Sequence, residues 1–370
     1  HASRLRHRPD VARTLDGNGR SRHEAGGGAR ALKLAGAAAG LAGLGAGLWA
    51  LRRTGRNVPP VFRSLPEEGR LFRWRGHRVI YSTRGPASGT AAAGAPATAS
   101  PASGAQGPPM VLVHGIHAAA SAREMTQPFE RFARDRRVYA YDLLGFGASD
   151  RPSGPYTADL YIGLMTDFLR EVVAEPAVVV ASSLSAAHAL AAARRVPELV
   201  ARLVLVNPTG LVTQAQGPTP ASRAVEATFR APFVGEALFH ALVSRPSLRY
   251  YDGKTYSDRE QVTRHLVERQ YATTHQRGAR FAPAAFLGGS LAYDVERDLA
   301  ALTVPALVIW TPFNGHQDTD AESRAFSAVN PSLATRIVAD CGALPHEERP
   351  ADFEAIVRQW LEEEEEEAPA

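Results

Sequence analysis

The feature that most constrains this chain is a repeated alternation of short, unbroken apolar runs with helix-length stretches. The runs fall at residues 110–113, 138–141, 177–181 and 203–206, and again at 306–310 and 336–338. An apolar run without polar alternation suits a strand covered on both faces, and strands separated by helices pair in parallel. The expected fold is therefore α/β, with a mostly parallel central sheet and helices on both faces. Residues 70–84 add a hairpin, with Phe72 and Trp74 on one arm and Val79, Ile80 and Tyr81 on the other, about a Gly76 turn. The aromatic- and arginine-rich stretch 212–302 interrupts the alternation and reads as an inserted, mainly helical cap between core segments 61–211 and 303–361.

Two segments carry no such pattern. Residues 85–109 are almost entirely Gly, Pro, Ala, Ser and Thr, a flexible surface insertion with nothing to bury. The tail 362–370 opens with six glutamates, which suit a solvated helix end or a disordered extension.

Composition narrows the function. At 370 residues and 45% hydrophobic content the chain can bury a sizeable core. A single cysteine, Cys341, excludes an intramolecular disulfide framework and a Cys₄ zinc site. No histidines pair at i, i+4 beside an acid, so no metal is expected. The net charge of +4 hides an asymmetry: before residue 61 there are 11 basic and 3 acidic residues, and after it 31 and 35. Nucleic acid is excluded as a partner, because the basic excess does not belong to the folded body.

The basic tail 1–30 precedes 18 uncharged residues, 34–51, which as a helix would measure about 27 Å. Residues 31–53 are read as a transmembrane helix, giving a single-pass N-terminal anchor in a bacterial or organellar membrane. Gly36, Gly40, Gly43 and Gly47 form a stripe suited to a transmembrane helix partner. The alternatives are an export or transit segment and a soluble helix. Arginines flank both ends, so the side of the membrane is not set.

The chemistry resides in three short stretches. Val178-Val179-Val180-Ala181-Ser182-Ser183-Leu184-Ser185 is a buried strand turning at once into a helix of small residues. At such an elbow the central serine is held out of the sheet, and small residues two before and two after, here Ala181 and Ser185, relieve crowding. Upstream, Val113-His114-Gly115-Ile116-His117 ends a strand, so the N–H groups of Ile116 and Leu184 can form an oxyanion hole. Asp142-Leu143-Leu144-Gly145-Phe146-Gly147-Ala148-Ser149 supplies a tight turn.

With these motifs in this order, residues 70–361 resemble the α/β-hydrolase superfamily, specifically its cap-bearing, lipase- or esterase-like members. The resemblance implies Ser183 as nucleophile, Ile116 and Leu184 as oxyanion donors, and residues 212–302 as the cap shaping a pocket. The chain departs from the family where the other triad members belong. Asn314 holds the usual acid position, Asn207 the alternative one, and Ala343 stands where the family places its histidine. An amide cannot stabilise an imidazolium as a carboxylate does. His316 and His346 are the candidate substitute bases, with Asp318 or Asp320 to orient them, and His117 is placed at the substrate pocket. His188 is expected to face packing. No dinucleotide fingerprint or phosphate loop follows a strand, so no cofactor is expected. Three readings follow: a membrane-tethered serine hydrolase of an apolar ester or related acyl substrate, a pseudohydrolase that binds a small molecule, and a structural or interaction subunit.

Overall fold

The computed structural model describes residues 61, 64–86 and 107–367, all within one unit, Leu48–Ala370. The basic tail, the stretch 31–53 and most of the 85–109 insertion lie outside the described residues. Strands β1 (Arg70–Trp74), β2 (His77–Arg84), β3 (Met110–Val113), β4 (Val138–Tyr141), β5 (Ala177–Ser182), β6 (Val200–Val206), β7 (Ala306–Trp310) and β8 (Ala334–Ile337) form one sheet. Their order is β1-β2-β4-β3-β5-β6-β7-β8. β1 and β2 pair antiparallel, as do β2 and β4, and every other neighbour is parallel. The hairpin turns through Arg75 and Gly76, both at positive φ (47° and 82°), the geometry that matches the twist of its strands.

The apolar runs are continuous because both faces of the sheet are covered, and their period of two sorts them. Val111, Val113, Val179, Ala181, Leu203, Leu205 and Val308 pack on one face. Met110, Leu112, Val178, Val180, Val204, Val206 and Ile309 pack on the other. Around the sheet lie α1 (Thr126–Phe132), α2 (Ala158–Phe168) and α3 (Leu184–Arg195). Between β6 and β7 the chain is helical: α4 (Pro220–Arg230), α5 (Val234–Leu242), α6 (Arg245–Thr255), α7 (Arg264–Thr274), α8 (Phe281–Leu287) and α9 (Glu296–Ala300). These helices keep their own apolar cluster, with Phe239, Val243, Leu248 and Val267 closing over Ala119 from the loop after β3. The chain ends in α10 (Thr319–Val329), α11 (Pro345–Glu348) and α12 (Pro350–Glu367).

Two expectations change, and one alternative is settled. The last strand lies at Ala334–Ile337 rather than 336–338, and as an edge strand it is only half buried on alternate residues. The glutamate run continues α12 as a helix end. The expected membrane location is corrected: among the described residues no helix is long and apolar enough to cross a membrane. Residues 34–51 lie outside the described residues, and no membrane location is assigned.

The turn after β4 is pinned by buried hydrogen bonds. Asp142 accepts from Ala122 N (2.7 Å) through Oδ1, and from Ala148 N (2.8 Å) and Ser64 Oγ (2.7 Å) through Oδ2. Ser149 Oγ donates to Asp142 O (2.7 Å) and accepts from Ile80 N (2.9 Å), tying the turn to β2. Gly147 sits against the carboxylate at φ 51°, where a Cβ would overlap Asp142. Gly147→Ala should therefore destabilise the fold by about 3 kcal/mol in urea unfolding, combining backbone strain with overpacking. An unchanged midpoint would sink this account of the turn.

Candidate active site

Ser183 follows the last residue of β5 and immediately precedes the first residue of α3. Its backbone is at φ 54°, ψ −128°, a conformation that costs a non-glycine residue about 1–3 kcal/mol. Its N–H donates to Val206 O (2.9 Å) and its carbonyl accepts from Ala186 N (3.0 Å), so strand and helix together fix the bend. Ser182 and Leu184 are buried while Ser183 reaches partly to solvent. Ser185 occupies the crowded position where the family prefers glycine, and its hydroxyl has a use there: Oγ donates to His114 O (2.7 Å), joining α3 to the end of β3.

His114 orients the facing loop. Leu143 N–H donates to its Nε2 (3.1 Å), so in the neutral ring the proton lies on Nδ1, 2.7 Å from Gly115 O. With that carbonyl engaged, the trans peptide directs Ile116 N–H the opposite way. The N–H groups of Ile116 and Leu184 have no hydrogen-bond acceptor among the described residues. Leu184 also stands at the positive end of α3.

A carboxylate absent from the sequence reading sits behind this loop. Buried Glu124 accepts from Gly115 N (3.1 Å to each oxygen) and from His346 Nε2 (3.2 Å). A Cβ on Gly115 would lie 3.5 Å from both Glu124 Oε2 and Ser183 Cβ, so the two are no more than about 7 Å apart. Burial alone would raise the Glu124 pKa, but the hydrogen bond and charge of His346, with His117 and His114, outweigh it and hold it at about 2. An isolated glutamate nine residues past a glycine carries no signal in the sequence; only the fold brings it back to Gly115.

No imidazole is hydrogen-bonded to Ser183 among the described residues. His346 is fully buried, with Nε2 on Glu124 and Nδ1 unpartnered. His188 is also buried. It donates from Nε2 to Leu291 O (3.0 Å) and stacks on Tyr161, and burial lowers its pKa to about 4. His117 keeps more than a third of its surface accessible. Desolvation by the surrounding protein nevertheless lowers its pKa to about 4, against the opposing charge of Glu124. Its Nδ1 accepts from Ala119 N (3.4 Å). His316 is exposed and its Nε2 lies 2.9 Å from Thr255 Oγ1. Thr255 Oγ1 donates its own proton to Tyr251 O (3.1 Å), so His316 carries its proton on Nε2 and its lone pair on Nδ1. Desolvation and the Lys254 charge lower the His316 pKa. Asp318 caps α10 through Ala321 N (2.9 Å), and Asn314 Oδ1 accepts from His316 N (3.0 Å).

The loop where the family carries its histidine serves here as a seam to the cap. Ala343 N donates to Thr255 O (2.7 Å). Ser257 donates to Glu348 Oε2 from both N (2.8 Å) and Oγ (2.7 Å), and Tyr256 OH donates to Glu347 Oε2. Gly342 faces this segment so closely that a Cβ would overlap Thr255 O. From the core side, Asn207, at φ 42°, donates from Nδ2 to Ala343 O (2.9 Å) and to Thr311 Oγ1 (2.9 Å), and accepts from Thr311 N (3.0 Å). Of the two residues in the family's acid positions, Asn207 thus acts as a neutral clasp, while Asn314 holds a local turn at His316.

The sequence profile of the alpha/beta hydrolase family matches residues 110–356, and the chain belongs to that family. A 105-residue segment is 37% identical to the 2-hydroxymuconate semialdehyde hydrolase of Pseudomonas sp. (strain CF600), covering 28% of this chain and 37% of that protein. The chain thus spans well under half the length of this curated relative. Its structure is similar to a serine hydrolase involved in carbazole degradation, with TM-score 0.60 and 21% identity over 80% of this chain and 98% of that one. It is also similar to the enol-lactonase from Burkholderia xenovorans LB400, with TM-score 0.60 and 20% identity over 79% and 99%. At these identities the structural likeness shows the fold.

Glu124 and Glu347 titrate in opposite senses. Glu124, held below the ordinary 4.5, contributes stability above pH 4.5 that is lost as pH falls toward about 2. Glu347 is raised by burial to about 7, against its Tyr256 hydrogen bond, so its contribution is full below about 4.5 and is lost as pH rises through about 7. Urea unfolding across pH should show both losses, with Glu347→Gln flattening the neutral limb and Glu124→Gln the acid limb. Variants whose profiles run parallel to the parent would refute these assignments.

Proposed function

We propose that the chain is a serine hydrolase of small acyl compounds, an ester of an apolar acyl group being the substrate class, with Ser183 as nucleophile. The observation that carries the reading is the strained Ser183 backbone beside two N–H donors, those of Ile116 and Leu184, that no described residue engages. The segment identity to a 2-hydroxymuconate semialdehyde hydrolase supports a small carbonyl-bearing substrate.

His316 takes the role of base. Its Nδ1 carries a free lone pair on an exposed ring, whereas His114, His188 and His346 are buried and bonded elsewhere. In this role His316 presents Nδ1 to Ser183 Oγ. The Oγ proton then passes to Nδ1 as Oγ bonds the carbonyl carbon, and the carbonyl pair moves to the oxygen held by Ile116 and Leu184. Collapse expels the alkoxide, which takes that proton, and water repeats the sequence on the acyl-enzyme. His117, beside the oxyanion loop, contacts the substrate.

A second reading, a ligand-binding protein without turnover, draws on Ala343, Asn207 and Asn314 replacing the family's ionisable groups. Fluorophosphonate labelling separates the two. A hydrolase should label at a rate abolished in Ser183→Ala and reduced roughly 100-fold or more in His316→Gln, with His346→Gln affecting stability rather than rate. Parent and His316→Gln labelling equally slowly would remove His316 as base, and a parent no faster than Ser183→Ala would replace the hydrolase reading with the binding one.

A further inference from the structure

A cavity of about 340 Å³ opens where the loop after β3 meets cap helix α7, and Ser183 is not among its lining residues. Arg123 and Ser121 enter it from the core, Arg269 from the cap, and Ala119 and Leu266 give it apolar walls. Its charged groups are donors in search of acceptors. Arg123 Nη1 has only a long contact to Ser64 O (3.4 Å), and Arg269 Nη1 one to His265 Nε2 (3.4 Å). Neither guanidinium has a carboxylate within ion-pair distance among the described residues. The acid whose charge Arg123 feels most, Glu347, is occupied by the Tyr256 hydroxyl. Ser121 Oγ makes no hydrogen bond to a described residue, although Ser121 precedes a short helical turn it would be placed to cap.

Two forked guanidinium groups and a hydroxyl converging on one recess match an anion with at least two oxygens. The Ala119 and Leu266 walls suit a ligand with an apolar body, and the volume is near the lower end for small-molecule sites. We infer that this cavity binds a small organic acid, its carboxylate held by Arg123, Arg269 and Ser121 and its apolar part against Ala119 and Leu266. The site is distinct from the Ser183 chemistry and does not depend on it. Because Ala119 and Ser121 belong to the loop that begins at Ile116, an acid bound here would brace that loop against the cap.

Isothermal titration of the full chain with benzoate, with inorganic phosphate in a parallel titration, tests this. Saturable benzoate binding should be weakened roughly tenfold or more by Arg269→Gln and likewise by Arg123→Gln, while Ser183→Ala binds as the parent does. Arg269→Lys should recover only part of the loss, since an ammonium cannot fork onto two oxygens. Arg269 lies half-exposed on α7, so Arg269→Gln decides the matter if Arg123→Gln fails to fold. Absence of saturable benzoate binding, or binding indifferent to both arginines, would overturn the site. Phosphate binding as tight as benzoate would overturn the assignment to an organic acid.

Discussion

The buried carboxylate of Glu124 is the interaction on which the arrangement around Ser183 depends. It gathers Gly115 N–H from the end of β3 and His346 Nε2–H from α11, elements separated by more than 200 residues. A charge in so dry a place is tolerable only while its partners stay in position, and losing one partner costs far more than the pair contributes. The loop carrying Ile116 therefore cannot relax independently of the C-terminal segment. Facing it, Ser185 and His114 lock the elbow helix to the same strand end, and Asp142 fixes the turn beneath. The strained Ser183 backbone survives because these contacts overdetermine it.

How much of this is legible in the sequence depends on whether a feature is local. The strands were readable because burial on both faces leaves an apolar run that needs no partner to recognise, as at Val178–Val180. The edge strand was misplaced by two residues because Ala334–Ile337 alternates rather than runs apolar. The elbow was readable for a similar reason: a strand, a serine and small residues lie side by side in the chain. Glu124 was not, since its meaning comes from Gly115 and His346 together. The seam of Thr255, Tyr256 and Ser257 against Ala343, Glu347 and Glu348 was equally hidden, being a pairing of two unremarkable segments some 90 residues apart.

That seam gives the departures from the family pattern a physical sense. Asn207 and Asn314 are not vacancies where carboxylates used to be. Asn207 uses both amide ends to hold the tips of β6 and β7 and the loop at Ala343, which a carboxylate, having no donor, could not do. Asn314 holds the backbone of His316. Of the two residues that elsewhere in the family orient a histidine, Asn207 is here part of the clasp at the Ala343 loop, and Asn314 shapes the turn that carries His316.

The absence of the family histidine is then not a single-site loss. The backbone at Gly342 is pressed against Thr255 and Ser257, and Ala343 N–H is committed to Thr255 O, so the loop at 342–343 is held by the cap. Restoring an imidazole at 343 would leave it without a carboxylate at 314 or 207. Thr255 is in turn the contact that fixes which nitrogen of His316 bears the proton. The contact between cap residue Thr255 and His316 thereby also sets proton placement on His316, so anything that loosens the cap there also releases that imidazole.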